Sequence, residues 1–189
     1  MTAAWTSDAA GRAGGGSPSG QSGGRLRVLA TGPLSTVQDL GRPGWFEAGV
    51  GVSGAVDRGA LRLANRLVGN PESAAGIECV LGGLSVEFEC PALVAVTGAP
   101  VPVTVGARRE PPASVLHVEA GHRVRIGTAT TGLRCYLTVR GGIDVAPVLG
   151  SRSRDTMAGL GPEPLSPGQW LPVGPPPADW PAVDLAPVP

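Results

Sequence analysis

The 189-residue sequence contains no lysine; every one of its 15 basic side chains is arginine. That absence removes Schiff-base chemistry, a pyridoxal phosphate anchor and the P-loop lysine from this chain. Histidine is almost as scarce. His117 and His122 are the only two, too few for a histidine-rich metal site, so no metal centre is expected. Three cysteines, Cys79, Cys90 and Cys135, show no C-x-x-C spacing and sit in or beside apolar runs, which predicts buried, reduced thiols. Net charge is zero, so the whole-chain signal for nucleic acid or an anionic membrane surface is missing. The longest stretch without a charge, Cys90–Ala107, is broken by Pro91, Gly98, Pro100, Pro102 and Gly106, and a spanning helix is not expected there.

Glycine and proline are abundant instead, and they gather at the ends. Residues 1–24 hold seven glycines and residues 162–189 hold ten prolines. The first segment predicts a disordered lead-in with no apolar stretch of the secretory type. Residues 25–172 form the expected domain. Residues 173–189 read as a proline-rich tail that does not pack on it, a linker to a second half absent from the chain. The expected location is cytoplasmic.

Within the domain the hydrophobic period is mostly two. Leu26, Val28 and Ala30 alternate in a first strand, whereas residues 35–54 read as loop because six glycines or prolines crowd into 41–54. One helix is expected at about 58–68. Asp57 is its N-cap, Ala60, Leu61, Ala64, Leu67 and Val68 its apolar stripe, and Gly69 its stop. Later strands come in pairs around turn signals: Gly82-Gly83, Gly98-Ala99-Pro100 and Glu119–His122 each read as a hairpin. The fold class is therefore mainly β with one amphipathic helix.

Three constellations carry the candidate chemistry. Around Gly32–Trp45, polar Ser35, Thr36, Gln38, Asp39 and Arg42 stand among glycines that let backbone amides approach a ligand; an Asp39–Arg42 ion pair is the structural alternative. Gly49–Asp57, with Ser53 inside it, is a glycine-rich loop feeding a helix N-terminus, where either an anion or the Asp57 cap uses the free amides. Arg140-Gly141-Gly142 ends a strand and is followed by Ser151, Arg152 and Arg154. There a guanidinium and two amides suit a carboxylate and its oxyanion, or else form an ordinary turn with exposed arginines. The candidate catalytic residues are Asp39, Asp57 and Arg140. Ser35, Gln38, Arg42, Ser53, Gly141, Gly142, Ser151 and Arg152 are the substrate-binding candidates.

Read in order, six strings resemble one family: residues 32–44 (GPLSTVQDLGRPG), 53–57 (SGAVD), 63–70 (LANRLVGN), 96–99 (VTGA), 140–144 (RGGID) and 149–153 (LGSRS). The chain is similar to the biotin-dependent carboxyltransferases over its N-terminal part. That family also goes by the names allophanate hydrolase subunit 2, C-type 5-oxoprolinase subunit and kinase-inhibitor antagonist. The resemblance implies a cyclophilin-like β-barrel and an active site between two halves. It implies a subunit of an ATP-dependent 5-oxoprolinase complex that opens 5-oxoproline to glutamate. The alternatives are biotin-dependent carboxyl transfer to urea or a related amide, a non-enzymatic antagonist, or an inactive truncated remnant. The implied partner is an allophanate hydrolase subunit 1 or kinase-inhibitor-like protein, with an A-type 5-oxoprolinase subunit beside it. No covalently bound cofactor is expected. ATP belongs to the complex, and carboxybiotin, if used, arrives on another protein because this chain has no lysine to carry it.

Overall fold

The computed structural model describes residues 24–186. Eleven strands and one α-helix follow one another. They are β1 (Arg25–Thr31), β2 (Leu34–Gln38), α1 (Arg58–Leu67), β3 (Gly76–Val80), β4 (Leu84–Phe88), β5 (Ala92–Gly98), β6 (Val103–Val105), β7 (Arg108–Glu110), β8 (Val115–Val118), β9 (Arg123–Ile126), β10 (Arg134–Val139) and β11 (Trp170–Pro172). A short 3-10 turn spans Phe46–Ala48. Every strand pairing is antiparallel. The strands make a six-stranded sheet in the order β11-β1-β4-β9-β6-β7 and a five-stranded sheet in the order β2-β3-β10-β5-β8. The mainly-β expectation holds, and the two sheets are not closed into a barrel.

Alternation sets the layers. Val28, Val86 and Ile126 from the larger sheet meet Ile77, Val96 and Leu137 from the smaller one in a single buried core. The opposite face of the five-stranded sheet is covered in part by α1. Its Ala64 and Leu67 pack with Ala95, and Leu61 packs with Tyr136. The helix begins where expected, with Asp57 Oδ1 accepting from Ala60 N at 2.9 Å. Its arginine face is solvated: Arg62 and Arg66 both pair with exposed Glu72, at 3.5 and 2.8 Å.

Three sequence expectations are corrected. Residues 35–38, read as part of a 35–54 loop, belong to β2, and Ser35, Thr36, Val37 and Gln38 are all buried. The three proposed hairpins are not hairpins. β3 and β4, β5 and β6, and β8 and β9 lie in different sheets, so each turn carries the chain from one sheet to the other. At the first crossing, the left-handed Gly82 (φ +81°) brings a Cβ position to 2.0 Å from Gly127 O, a space that only glycine fits. The local signal of two strands around a Gly-Gly turn is the same for a hairpin and for a corner; the partner strands decide. Finally, residues 174–186 pack against the domain. Val115 N donates to Asp184 O (2.8 Å), Ala186 N donates to Ala113 O (2.9 Å), and Ser114 bridges to Leu185. The segment buries little apolar area, but its backbone pairs with the free edge at β8, Asp184 O accepting the Val115 amide and Ala186 N donating to the Ala113 carbonyl. The lead-in expected over 1–24 lies outside the described residues, except Gly24.

Gly141 shows how tightly the tail is seated. It sits at φ +98°, and a Cβ there would meet Gly174 O at 2.1 Å. Gly141→Ala is expected to cost about 1–3 kcal/mol in urea unfolding, from strained backbone and displaced tail. Gly121→Ala, at φ +76° with nothing within 4 Å, is expected to cost about 1 kcal/mol, the left-handed penalty alone. Equal losses would contradict the packing.

Candidate functional site

Two polar clusters lie on and beside the five-stranded sheet. The first is built on Asp39, just after β2. Its carboxylate accepts from Gly41 N (2.7 Å), Ser151 Oγ (2.7 Å), Arg152 N (2.6 Å) and Ser153 Oγ. Ser153 Oγ in turn lies 3.1 Å from Asp39 N. Arg42 is 1% exposed and donates to the carbonyls of Ser153 and Val148 and to Ser53 Oγ. Ser53 Oγ donates to Asp155 Oδ2 at 2.6 Å, and that oxygen lies 4.0 Å from Arg42 Nη1. The expected Asp39–Arg42 pair is absent among the described residues. Each turns to the 148–155 segment instead, and together they fasten two glycine-rich loops.

The second cluster is a row across the outer face of the sheet. Register places Thr36 opposite Glu78, and Glu78 opposite Tyr136. Glu78 Oε2 accepts from Tyr136 OH (2.7 Å) and Val56 N (2.9 Å). Its Oε1 lies 3.0 Å from Arg134 Nε, an ion pair whose angle does not make a hydrogen bond. Burial first, then the neighbouring Glu78, pushes the Tyr136 phenol well up, so it stays protonated and donates. Above this row opens a cleft of about 660 Å³, with Thr36, Gln38, Ser53, Arg134, Arg154 and Asp155 on its walls. The Asp155 carboxyl is held below its usual value by the Ala158 amide, then by the Ser53 hydroxyl.

The sequence-predicted residues therefore separate. Gln38 and Ser53 reach the cleft. Asp39, Arg42 and Ser151 lie in the loop-fastening cluster and are spent on it. Ser35 faces away from the cleft, opposite Cys79, and donates to Thr31 O (2.8 Å). Arg140 is engaged by the chain itself. Its Nη1 donates to Val68 O at the end of α1 (3.0 Å), its Nη2 to Pro177 O and Asp179 O (2.6 Å each), and Trp180 stacks 4.8 Å from it. The amides of Gly141 and Gly142 are likewise used, by Asn70 Oδ1 (2.8 Å) and Val139 O (2.8 Å). Arg152 pairs with Asp144 at 2.7 Å. Asp57 caps the helix at an exposed position, and its amide donates to Tyr136 OH at 2.7 Å, beside the Glu78 row. Cys79 and Cys135 are buried and free as expected, but Cys90 is exposed, at the turn after β4.

Sequence reasoning missed Glu78, Arg134 and Tyr136. The signal was available: Glu78 is the one charge in the run Ile77–Val80, and a carboxylate inside a buried strand needs a partner. Among the described residues no group of three or more His, Cys, Asp or Glu could hold a metal, and no helix is long and apolar enough to cross a membrane.

The whole fold places the chain in the carboxyltransferase class. It superposes on the Kluyveromyces lactis urea carboxylase with a TM-score of 0.76 at 37% identity, over 79% of this chain and 14% of that one. Residues 48–188 match the model of the carboxyltransferase domain, subdomain A and B, and the chain belongs to that family. It is 41% identical over 152 residues to the C-type 5-oxoprolinase subunit of Escherichia coli, which covers 79% of this chain and 49% of the relative. It is 38% identical over 137 residues to the urea amidolyase of Saccharomyces cerevisiae, covering 72% of this chain and 8% of that enzyme. The chain thus spans about half of the bacterial relative and a small part of the yeast one.

Two outcomes test the division between fastening and cleft residues. Asp39→Asn turns a four-fold acceptor into a group that carries its own donors, and is expected to cost about 2–3 kcal/mol in chemical unfolding. Unchanged stability would mean that Asp39 is not a structural anchor. Asp155 has a folded-state pKa below its unfolded value, so its contribution is present above the unfolded pKa and is lost as pH falls through the folded one. Thermal melting between pH 7 and pH 3 should show a shallower acid limb for Asp155→Asn than for the unaltered chain. Parallel limbs would contradict the assignment.

Proposed function

We propose that this chain is the carboxyltransferase-type subunit of an ATP-dependent 5-oxoprolinase complex, and that its outer-face cleft forms one wall of the site where 5-oxoproline is opened to glutamate. The observation that carries this reading is the 41% identity to the C-type 5-oxoprolinase subunit of Escherichia coli. That relative is about twice the length of the matched span, and the other wall belongs to the remaining half of such a protein or to a partner. The partners proposed are an allophanate hydrolase subunit 1-like (kinase-inhibitor-like) protein and an A-type subunit that brings ATP. The contribution of this chain is positional and electrostatic: the guanidinium groups of Arg134 on β10 and of Arg154 in the segment beside β2 hold an anion while the partner completes the enclosure. Three free cysteines suit a reducing compartment, and we place the complex in the cytoplasm.

A second reading has its own support in the likeness to urea carboxylase: biotin-dependent carboxyl transfer to urea or a related amide. In that case carboxybiotin is delivered by another protein. A non-enzymatic antagonist of the kinase-inhibitor-like partner would use the same partner without turnover.

The test is reconstitution. Purified with the two partners, the complex is expected to release glutamate and hydrolyse ATP only when 5-oxoproline is added. ATP hydrolysis that needs urea, bicarbonate and a biotinylated carrier would favour the second reading. A stable complex with neither activity would leave the antagonist.

A further inference from the structure

Among the described residues, five buried side-chain nitrogen or oxygen atoms have no hydrogen-bond partner, and three of them belong to walls of one cleft: Gln38 Oε1, Arg134 Nε and Arg154 Nε. Buried polar atoms without partners are costly and uncommon, so their gathering at one place points to a missing ligand. The orientation of the Gln38 amide is fixed by what its other end does. Nε2 donates to Thr36 Oγ1 (3.1 Å) and to Arg154 O (3.0 Å), and the opposite placement would set an oxygen against that carbonyl. Gln38 is 6% exposed and stands on the cleft wall.

The acids of the cleft are already used. Glu78 holds Tyr136 OH and Val56 N, and Asp155 accepts from Ser53 Oγ, Met157 N (3.0 Å) and Ala158 N (2.9 Å). The bases are not. Arg154 spends Nη1 on Glu163 Oε1 (3.0 Å) and Gly161 O (3.4 Å), which leaves Nε and Nη2 without acceptors. Arg134 faces Glu78 through Nε and makes no side-chain hydrogen bond among the described residues. The unfilled capacity is thus guanidinium N–H donors beside one amide oxygen acceptor. A ligand that completes it must offer a planar anionic acceptor next to an N–H donor.

We infer that this cleft recognises a small carboxylate that carries an adjacent amide N–H, with Arg134 and Arg154 receiving the carboxylate and Gln38 Oε1 accepting the N–H. The choice of 5-oxoproline as the probe rests on the proposed function; the chemical class rests on the cleft. Arg134 and Gln38 are then the residues that set specificity, one for each half of the ligand.

The experiment titrates the full-length chain, and its complex with the co-purified partners, with 5-oxoproline, its carboxamide and its N-methyl derivative. For the unaltered chain the carboxamide and the N-methyl compound should each bind at least tenfold more weakly than 5-oxoproline. Arg134→Gln should abolish the preference for the acid over the carboxamide and keep the preference against N-methylation. Gln38→Leu should do the reverse. This crossed pattern cannot arise from general unfolding, and thermal melts of both variants check that they fold. Equal affinities for the three compounds, no binding by chain or complex, or variants that retain both preferences would overturn the inference. If selective binding is found while the reconstituted complex leaves 5-oxoproline unopened, the inference stands and the proposed function falls. Turnover with no change of KM in either variant gives the opposite result.

Discussion

The carboxylate of Asp39 ties together two segments more than a hundred residues apart in the chain. Two serine hydroxyls and two backbone amides converge on it, and beside it Arg42 reaches the carbonyls of Val148 and Ser153. Both groups are nearly closed to water. Removing a partner would leave a buried charge uncompensated, which is why the loops on either side keep a single arrangement. Edge strand β2 depends on this fastening, because residues 148–165 run along its free side: Arg154 N donates to Val37 O and Leu165 N to Ser35 O, at 2.9 and 2.8 Å. Thr36 and Gln38 are presented to the cleft only while that edge is held.

A second clamp works in the same way at the other end of the sheet. Arg140 joins the end of α1 to the carbonyls of Pro177 and Asp179, and Asn70 joins the helix stop to Gly141 and Val139. The glycine- and arginine-rich strings therefore spend their polarity on the chain itself. The proposed site lies instead on the outer face of the five-stranded sheet, where rigid strands fix Glu78, Arg134 and Tyr136 by register and not by loop conformation.

This division explains what could be read from the sequence. Period-two runs and the Asp57 and Gly69 signals located most strands and the helix, since they depend on local burial and capping. The six family strings brought out Gln38 and Ser53, which do reach the cleft. They also brought out Asp39, Arg42, Arg140 and Gly141, whose chemistry was right for an anion but whose most distant partners lie about 70 to 114 residues away. No local pattern distinguishes a guanidinium waiting for a ligand from one already holding a carbonyl. The sheet crossings escaped for a related reason: Gly82-Gly83 specifies a reversal and leaves open which sheet receives the next strand. β2 was hidden because three of its four buried residues are polar, so hydrophobic period carries no trace of Thr36 or Gln38.

The central claim is that Arg134 is open to a ligand and Arg140 is closed. Side-chain guanidinium resonances, followed by 15N-resolved NMR while 5-oxoproline is added to the full-length chain, report on both at once. The account predicts a saturable shift of the Arg134 Nε–H signal, and a slowly exchanging Arg140 signal that does not move. A shift at Arg140 with Arg134 unaffected would contradict it.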